Sequence, residues 1–429
     1  MNERQVTEFI ESIHPLGIVP GLDSIRELCR RLGDPQEKLT FVHVGGTNGK
    51  GSVCSFIAGA LTAGGYRVGR YISPTIFEYR ERIQVNGKYI SKAALGRIME
   101  QVKNACDEMM AEGMISPTAF EVETAAAFLY FVEKKCDLVV LEVGMGGTLD
   151  ATNIVENVAA TVLVSVSRDH MKFLGNSLEE IAAQKAGIMK KGRPVVTIRQ
   201  EECVVDVFAR KARELGCTLT IAEKSEISHV KATLEKQRFD FGTYKKLEIG
   251  LAGQHQIENA ILAVKTLEVL SENGYPVSEE NLRKGIKNVC WPGRFTVIDK
   301  KPLFIVDGAH NEDAAKRLAE SIEFYFTNKR IIYIMGVLKD KEYEKVIHLT
   351  CHLAEQIITV TTPNNERALP ALDLAQAVME VNPNVTAAAS LEEAVEIARL
   401  LATKDDVIIA FGSLSFLGRL MNIVGFQPN

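Results

Sequence analysis

The sequence predicts a two-domain α/β protein: a P-loop-type, mostly parallel sheet domain over residues 1–296, then a smaller α/β domain over 297–429. Three observations predict it. Short apolar runs alternate with amphipathic segments along almost the whole chain, the pattern of strands interleaved with helices. Runs such as Asp137–Val143 and Ala160–Val166 are too apolar to have a solvated face, as expected of parallel strands covered on both sides. A length of 429 residues, 46% hydrophobic and 24% charged, supplies two or three domains with ample core.

Taken in order, Phe41–Val44 reads as a strand that runs into a Gly-rich turn. Val53, Phe56, Ile57, Ala60 and Leu61 then fall at helical spacing, and Arg67–Ile72 is the next strand. Thr118 with Glu121 has the form of a capping box, opening a helix that turns Phe120, Phe128 and Phe131 to the core. Strands at Asp137–Val143 and Ala160–Val166 follow, and Ser177 with Glu180 starts another helix. Pro194–Ile198, a helix to Leu215 and Thr218–Ala222 continue the alternation, and the polar stretch 228–250 reads as a small hairpin or meander. Helices over about 254–272 and 278–290 lead to Trp291-Pro292-Gly293, where the pattern breaks and a domain boundary is expected near 295–300. Beyond it, strands at Leu303–Val306, Arg330–Met335, Gln356–Thr361, Val385–Ala389 and Val407–Phe411 alternate with helices.

Composition removes several classes of function. Fifty Lys plus Arg against fifty-five Asp plus Glu give a net charge of −5, with no long block of like charge, so neither a nucleic-acid backbone nor an anionic membrane is an expected partner. The N-terminus has neither an apolar signal core nor a transit-like segment, and no run approaches ~18 apolar residues. A soluble cytoplasmic protein is expected, with a monomer as the default. The eight cysteines lack CxxC spacing and read as reduced core thiols.

The chemistry-bearing residues cluster after strands. His43-Val44-Gly45-Gly46-Thr47-Asn48-Gly49-Lys50-Gly51-Ser52 lies between a strand and a helix, where glycines let backbone N–H groups approach phosphate and Lys50 adds a point charge. The spacing departs from the standard phosphate-loop form: Val44 stands five residues before Gly49, and the hydroxyl is displaced to Ser52. Glu142 ends an apolar strand beside Gly144-Met145-Gly146-Gly147, which suits a Mg²⁺ ligand, a helix cap or an ion-pair partner. Asp169-His170 follows the next strand; on its own, His170 reads as structural or substrate-orienting. Lys185 lies on the apolar face made by Leu178, Ile181, Ala182, Ile188 and Met189. Either its stem covers that face while the amine snorkels to solvent, or the amine meets phosphates or metal, or it is covalently converted to an anion. In the second unit, Leu303–Val306 runs into Asp307-Gly308-Ala309-His310-Asn311, with Asn311 placed to cap the next helix. Two such strand edges facing each other across the domain boundary would form a ligand cleft.

These segments resemble the folylpolyglutamate synthase / dihydrofolate synthase family, which is related to the Mur ligases. The resemblance rests on Gly46-Thr47-Asn48-Gly49-Lys50-Gly51-Ser52, on Leu141-Glu142-Val143-Gly144-Met145-Gly146-Gly147 continuing to Asp150-Ala151-Thr152-Asn153, and on Asp169-His170 with Leu174-Gly175. It also rests on Lys185-Ala186-Gly187-Ile188, Gly253-Gln254-His255-Gln256 with Asn259-Ala260, Pro292-Gly293-Arg294, Asp307-Gly308-Ala309-His310-Asn311 and Gly412-Ser413-Leu414. The matches run in the family's order over nearly the whole chain. They imply a P-loop-type domain followed by a Rossmann-like glutamate ligase domain.

The implied activity is an ATP-dependent amide ligation: ATP phosphorylates a folate carboxylate, and the amino group of L-glutamate attacks the acyl phosphate. The pterin acid is tetrahydrofolate, dihydropteroate or both. By the same resemblance, Asn48, Gly49, Lys50, Gly51 and Ser52 hold the ATP phosphates, and Asn259, Arg294 and Asp307 contact ATP from the other side. Ser73, Glu142 and His170 serve Mg²⁺, and Lys185 matches a lysine carried as a carbamate that acts at a second Mg²⁺. Lys50, Lys185, His170 and Arg294 are the implied catalytic set, with His310 and Ser413 near the glutamate.

Four residues depart from the family pattern: Thr75 stands where many members have His, Thr148 where they have Arg, Gln184 where Glu is usual, and Thr296 where an acidic residue is usual. Thr75 and Thr148 are expected close to the pterin-bearing substrate and so bear on substrate preference. A Mur-type ligase acting on another acid is the alternative, though no separate nucleotide-sugar domain is evident. A nucleotide-binding module without transfer chemistry would leave Glu142, His170 and Lys185 without a purpose.

Overall fold

The computed structural model describes residues 1–13 and 21–426. The chain divides into two compact units, Met1–Ile227 with Glu258–Val289, and Ser228–Ile257 with Cys290–Asn429. The polar meander, placed by sequence within 1–296, is thereby grouped with the second unit.

The first unit is built on β1 (Phe41–Gly45), β2 (Val68–Tyr71), β3 (Ile83–Val85), β4 (Lys88–Tyr89), β5 (Leu138–Glu142), β6 (Val158–Leu163), β7 (Val195–Ile198) and β8 (Leu219–Ala222). Their order across the sheet is β4-β3-β2-β5-β1-β6-β7-β8. The pairs from β2 to β8 are parallel, while β3 and β4 add antiparallel edges. Every residue of β1, β5 and β6 is buried, as their mostly apolar composition favours. On one side the core includes Phe41, Phe128, Phe131, Val139 and Leu141, with Phe41 set edge-on to Phe128 at 5.4 Å. A second cluster gathers Leu163, Ile181, Ile188, Val195 and Phe208.

Both sequence-read capping boxes form: Thr118 caps the helix Ala119–Glu133, and Ser177 caps the helix Leu178–Ala186. Strand β6 stops at Leu163, short of the expected Val166. There Val164 N–H bonds to the Gly45 carbonyl, and Ser165 and Ser167 bond to the distant Gly-rich loop after β1.

The second unit contains β9 (Ile227–Ala232), β10 (Gln237–Phe241) and β11 (Tyr244–Ile249) as a three-stranded meander. Strands β12 (Thr296–Lys300), β13 (Leu303–Val306), β14 (Ile331–Met335), β15 (Gln356–Thr359), β16 (Val385–Ala387) and β17 (Val407–Phe411) form a sheet in the order β12-β13-β17-β14-β15-β16. All its pairs are parallel except β12–β13. Strand β17 lies between β13 and β14, so the loops after β13 and β17 emerge side by side at one edge. All eight cysteines are free thiols; Cys29, Cys54, Cys106 and Cys351 are buried, whereas Cys290 is exposed.

Candidate active site

In the first unit the loop after β1 leads to the helix Lys50–Ala63, whose N-cap is Gly49 with φ +95° and no side-chain cap. Its first-turn N–H groups therefore have no side-chain acceptor at Gly49, the arrangement that helix N-termini offer to phosphate. Gly46 has φ +137°, and a side-chain carbon there would run into Val164. One on Gly49 would run into the Asn259 side chain, which places Asn259 directly against the loop. The loop is tied to the segment after β6: Thr47 N–H donates to Ser165 O at 2.8 Å, and Ser165 Oγ donates to Asn48 O at 3.1 Å. Ser52 and Gly51 are buried in the first helical turn.

Two lysines converge on this loop. Lys50 Nζ donates to Thr47 O at 3.1 Å and Gly46 O at 3.3 Å, and Lys185 Nζ donates to the same Gly46 O at 2.8 Å. Lys185 is 3% exposed. Burial, reinforced by the Lys50 charge and opposed by Asp169 and Asp150, lowers its pKa to about 7. The snorkelling account therefore does not describe Lys185: the amine is inside, on a loop carbonyl.

Glu142, at the end of β5, is 4% exposed and accepts the Ser73 N–H at 3.2 Å. The loop leading on from Ser73 is gathered by Glu81, whose carboxylate accepts N–H groups from Ile76, Phe77 and Glu78 at 2.6–2.9 Å. Half-buried Thr75 precedes these three amides. His170 adopts a left-handed conformation, φ +52°, with its N–H on Asp169 Oδ1 at 2.8 Å and its ring exposed. Among the described residues, no three His, Cys, Asp or Glu side chains gather as a metal cluster. Thr148 is exposed, and its hydroxyl donates to Gln184 O at 3.1 Å.

Sequence reading did not single out a buried polar chain that holds the Gly-rich turn. Asp150 accepts from Met145 N–H at 2.8 Å, Thr152 N–H at 3.0 Å and the Thr152 hydroxyl at 2.5 Å. That hydroxyl spends its proton on Asp150, so His43, 2.9 Å away through Nε2, must be the donor to it. His43 Nδ1 is buried without a partner, and burial, with Lys190 nearby, pushes the ring's pKa down to about 3. The available signal was a histidine in the middle of a wholly apolar strand, which demands a buried partner.

In the second unit, Asp307 follows β13 and accepts Phe295 N–H and Ala309 N–H, both at 2.8 Å. Burial raises its pKa, against the pull of Arg294. Gly308 leaves room for Arg294: a side-chain carbon there would lie 2.6 Å from Nη1. Thr296 Oγ1 accepts the Arg294 N–H at 3.3 Å. His310 Nδ1 is 2.7 Å from Gly308 O, which can only accept, so that nitrogen carries a hydrogen. Asn311 caps the helix Glu312–Tyr325 as expected, and Ser413 caps the helix Leu414–Val424. His255, also not singled out as a site residue, has a buried, unpartnered Nδ1; burial, with Arg317 and Arg294, pushes its pKa down to about 3.

A glycine-rich loop with converging lysines in one unit, and a mostly parallel sheet with Arg294 at its loop edge in the other, fit the Mur-type ligases as a class. Residues 44–267 match the Mur ligase middle domain, and residues 293–414 match the Mur ligase glutamate ligase domain. The chain is 40% identical over 338 residues to a dihydrofolate synthase/folylpolyglutamate synthase of Bacillus subtilis, covering 77% of this chain and 78% of the relative. It superimposes on folylpolyglutamate synthase of Thermotoga maritima with a TM-score of 0.85 at 34% identity, covering 98% of this chain and 97% of that one. For E. coli FolC in complex with DHPP and ADP the TM-score is 0.86 at 29% identity, covering 99% and 98%. The chain belongs to the folylpolyglutamate synthase / dihydrofolate synthase family.

Proposed function

We infer that the protein is an ATP-dependent ligase that adds L-glutamate to a pterin-bearing acid. The observation that carries this reading is the meeting of Lys50 and Lys185 on Gly46 O, at a glycine-rich loop that opens a helix, in a chain of this family. A carboxylate is a poor electrophile, and its activation requires neutralised charge on the transferring phosphoryl group. The loop amides, from Asn48 through Ser52, and Lys50 bind the ATP phosphates, with Asn259 positioned on Gly49. Arg294 and Asp307 are assigned to the nucleotide, and His310 and Ser413 to the glutamate. A carboxylate oxygen of the acid attacks the γ-phosphorus and ADP leaves. The glutamate nitrogen then attacks the acyl carbon, phosphate leaves, and the amine gives up a proton.

The enzyme uses ATP with Mg²⁺. Mg²⁺ prefers oxygen donors and takes one or two from protein, the rest from phosphates and water. Buried Glu142 beside Ser73 fits that donor set, and His170 is the further assigned ligand. The ion supplies charge neutralisation at the phosphates. Lys185, with a pKa near 7, presents a large neutral fraction at neutral pH. A neutral amine is the form that adds CO2, giving a carbamate and releasing a proton. We assign Lys185 that modification, with the resulting anion serving a second Mg²⁺. No helix among the described residues is long and apolar enough to cross a membrane. We place the protein in the cytoplasm as a monomer drawing both small substrates from solution.

The test is phosphate release with Mg·ATP and L-glutamate, comparing dihydropteroate, tetrahydrofolate and no acceptor, with products identified by mass. Release dependent on both glutamate and a pterin acid, with a product one glutamyl residue heavier, is expected. Release with neither acceptor, by folded protein that binds ATP, would move the assignment to a different acid.

A further inference from the structure

The Gly-rich turn after Glu142 is clasped to the last turn of the helix that carries Lys185. Thr148 gives Gln184 O both its hydroxyl, at 3.1 Å, and its backbone N–H, at 2.9 Å. The same carbonyl receives the Gly187 N–H at 3.3 Å, so it closes the helix end. Asn153 Nδ2 spans both segments, donating to Thr148 O at 3.0 Å and Gly187 O at 3.1 Å. The approach is close enough to exclude side chains. A carbon on Gly147 would lie 2.5 Å from Gln184 O and 3.0 Å from Lys185 Cα, and one on Gly187 would run into Thr148 Oγ1.

We propose that Thr148 is a positioning residue that sets Lys185 against the phosphate loop, and is not a contact for the pterin acid. Gln184 immediately precedes Lys185, whose amine depends on a single 2.8 Å bond to Gly46 O. Loosening the helix end moves that amine, and displacements of about 1 Å at reacting groups are costly to turnover. The inference rests on the reading of Lys185 as a catalytic group.

Thr148→Val keeps the shape and removes the hydroxyl, whereas Thr148→Ser keeps the hydroxyl. The valine variant should lose ~10-fold in kcat, the worth of one hydrogen bond in the transition state, with KM for Mg·ATP and for the pterin acid unchanged. The serine variant should recover it. In the protein without substrates, amide hydrogen exchange over 184–189 should quicken in the valine variant and stay at the wild-type rate in the serine variant. A raised KM for the pterin acid at unchanged kcat would make Thr148 a substrate contact and overturn the proposal. So would wild-type turnover and exchange in the valine variant. Lys185→Ala, measured alongside, separates the two claims: full activity in that variant removes the lysine's role and the proposal with it. A strongly impaired Lys185→Ala beside a wild-type-like Thr148→Val removes the clasp alone.

Discussion

The candidate site residues of the two units are held in different ways. In the first unit the polar side chains are committed to their own backbone. Lys50 and Lys185 share Gly46 O, Asp150 takes two main-chain amides, and Glu81 takes three. In the second unit Asp307 is committed in the same manner, but among the described residues no carboxylate oxygen lies within 4.0 Å of the Arg294 guanidinium. A guanidinium offers five donors in a fixed fork, and no carboxylate of the described residues takes them up here. The difference separates what each unit can lose. Changes in the first unit reach groups on which the loop geometry depends, so chemistry suffers, whereas truncating Arg294 should reach binding and turnover without reaching the fold.

The sharpest way to break this contrast is at Lys185. Lys185→Ala should cut kcat by about 10²–10³-fold, the scale of losing one preorganised charge-stabilising group. Lys185→Glu, which restores an anion, should retain measurable activity. Full activity in the alanine variant would remove the lysine from the mechanism. Next in size, Arg294→Ala should cost about 10- to 100-fold in kcat/KM for ATP, the worth of charge-assisted hydrogen bonds, with circular dichroism and midpoint unchanged. Unchanged turnover at every ATP concentration, or a large fall in midpoint, would erase the distinction between the two units.

A further effect, on stability alone, should be shared by both units. His43 and His255 each have their pKa moved from 6.5 to about 3, burial being the main cause. As pH falls below 6.5 the unfolded chain takes the proton first. Stability fully present above that pH should therefore decline as pH falls from 6.5 towards 3. Denaturant titrations at stepped pH should show that decline flattened in His43→Gln, and equally in His255→Gln. An unaltered slope in either variant would mean that its imidazole does not titrate as its burial requires.

What sequence could reveal followed from chemistry that repeats locally. The unbroken apolar runs of β5, β13 and β17 and the capping boxes at Thr118 and Ser177 declare themselves within a few residues. The short strands β3, β4 and β12 did not, because short, partly exposed strands carry no apolar run. The early end of β6 was equally hidden, since it is set by bonds from Ser165 and Ser167 to residues more than a hundred positions earlier. The same holds for the site. The phosphate loop and inward-facing Lys185 were legible from strand and helix context. Yet the partner of Lys185 lies 139 residues away, and the chain from His43 through Thr152 to Asp150 spans 109. Thr148 is a further case: nothing in its motif announced that its hydroxyl bonds Gln184 O, 36 residues on.

The most direct test of the account is the fate of the acid's own oxygen. With a pterin acid labelled by ¹⁸O in its reacting carboxylate, Mg·ATP and L-glutamate, transfer through an acyl phosphate predicts one ¹⁸O in the released inorganic phosphate for each amide formed. Amide formation with unlabelled phosphate, or with the label in the nucleotide, would contradict phosphorylation of the carboxylate by the γ-phosphoryl group, and with it the roles given to Lys50 and Lys185.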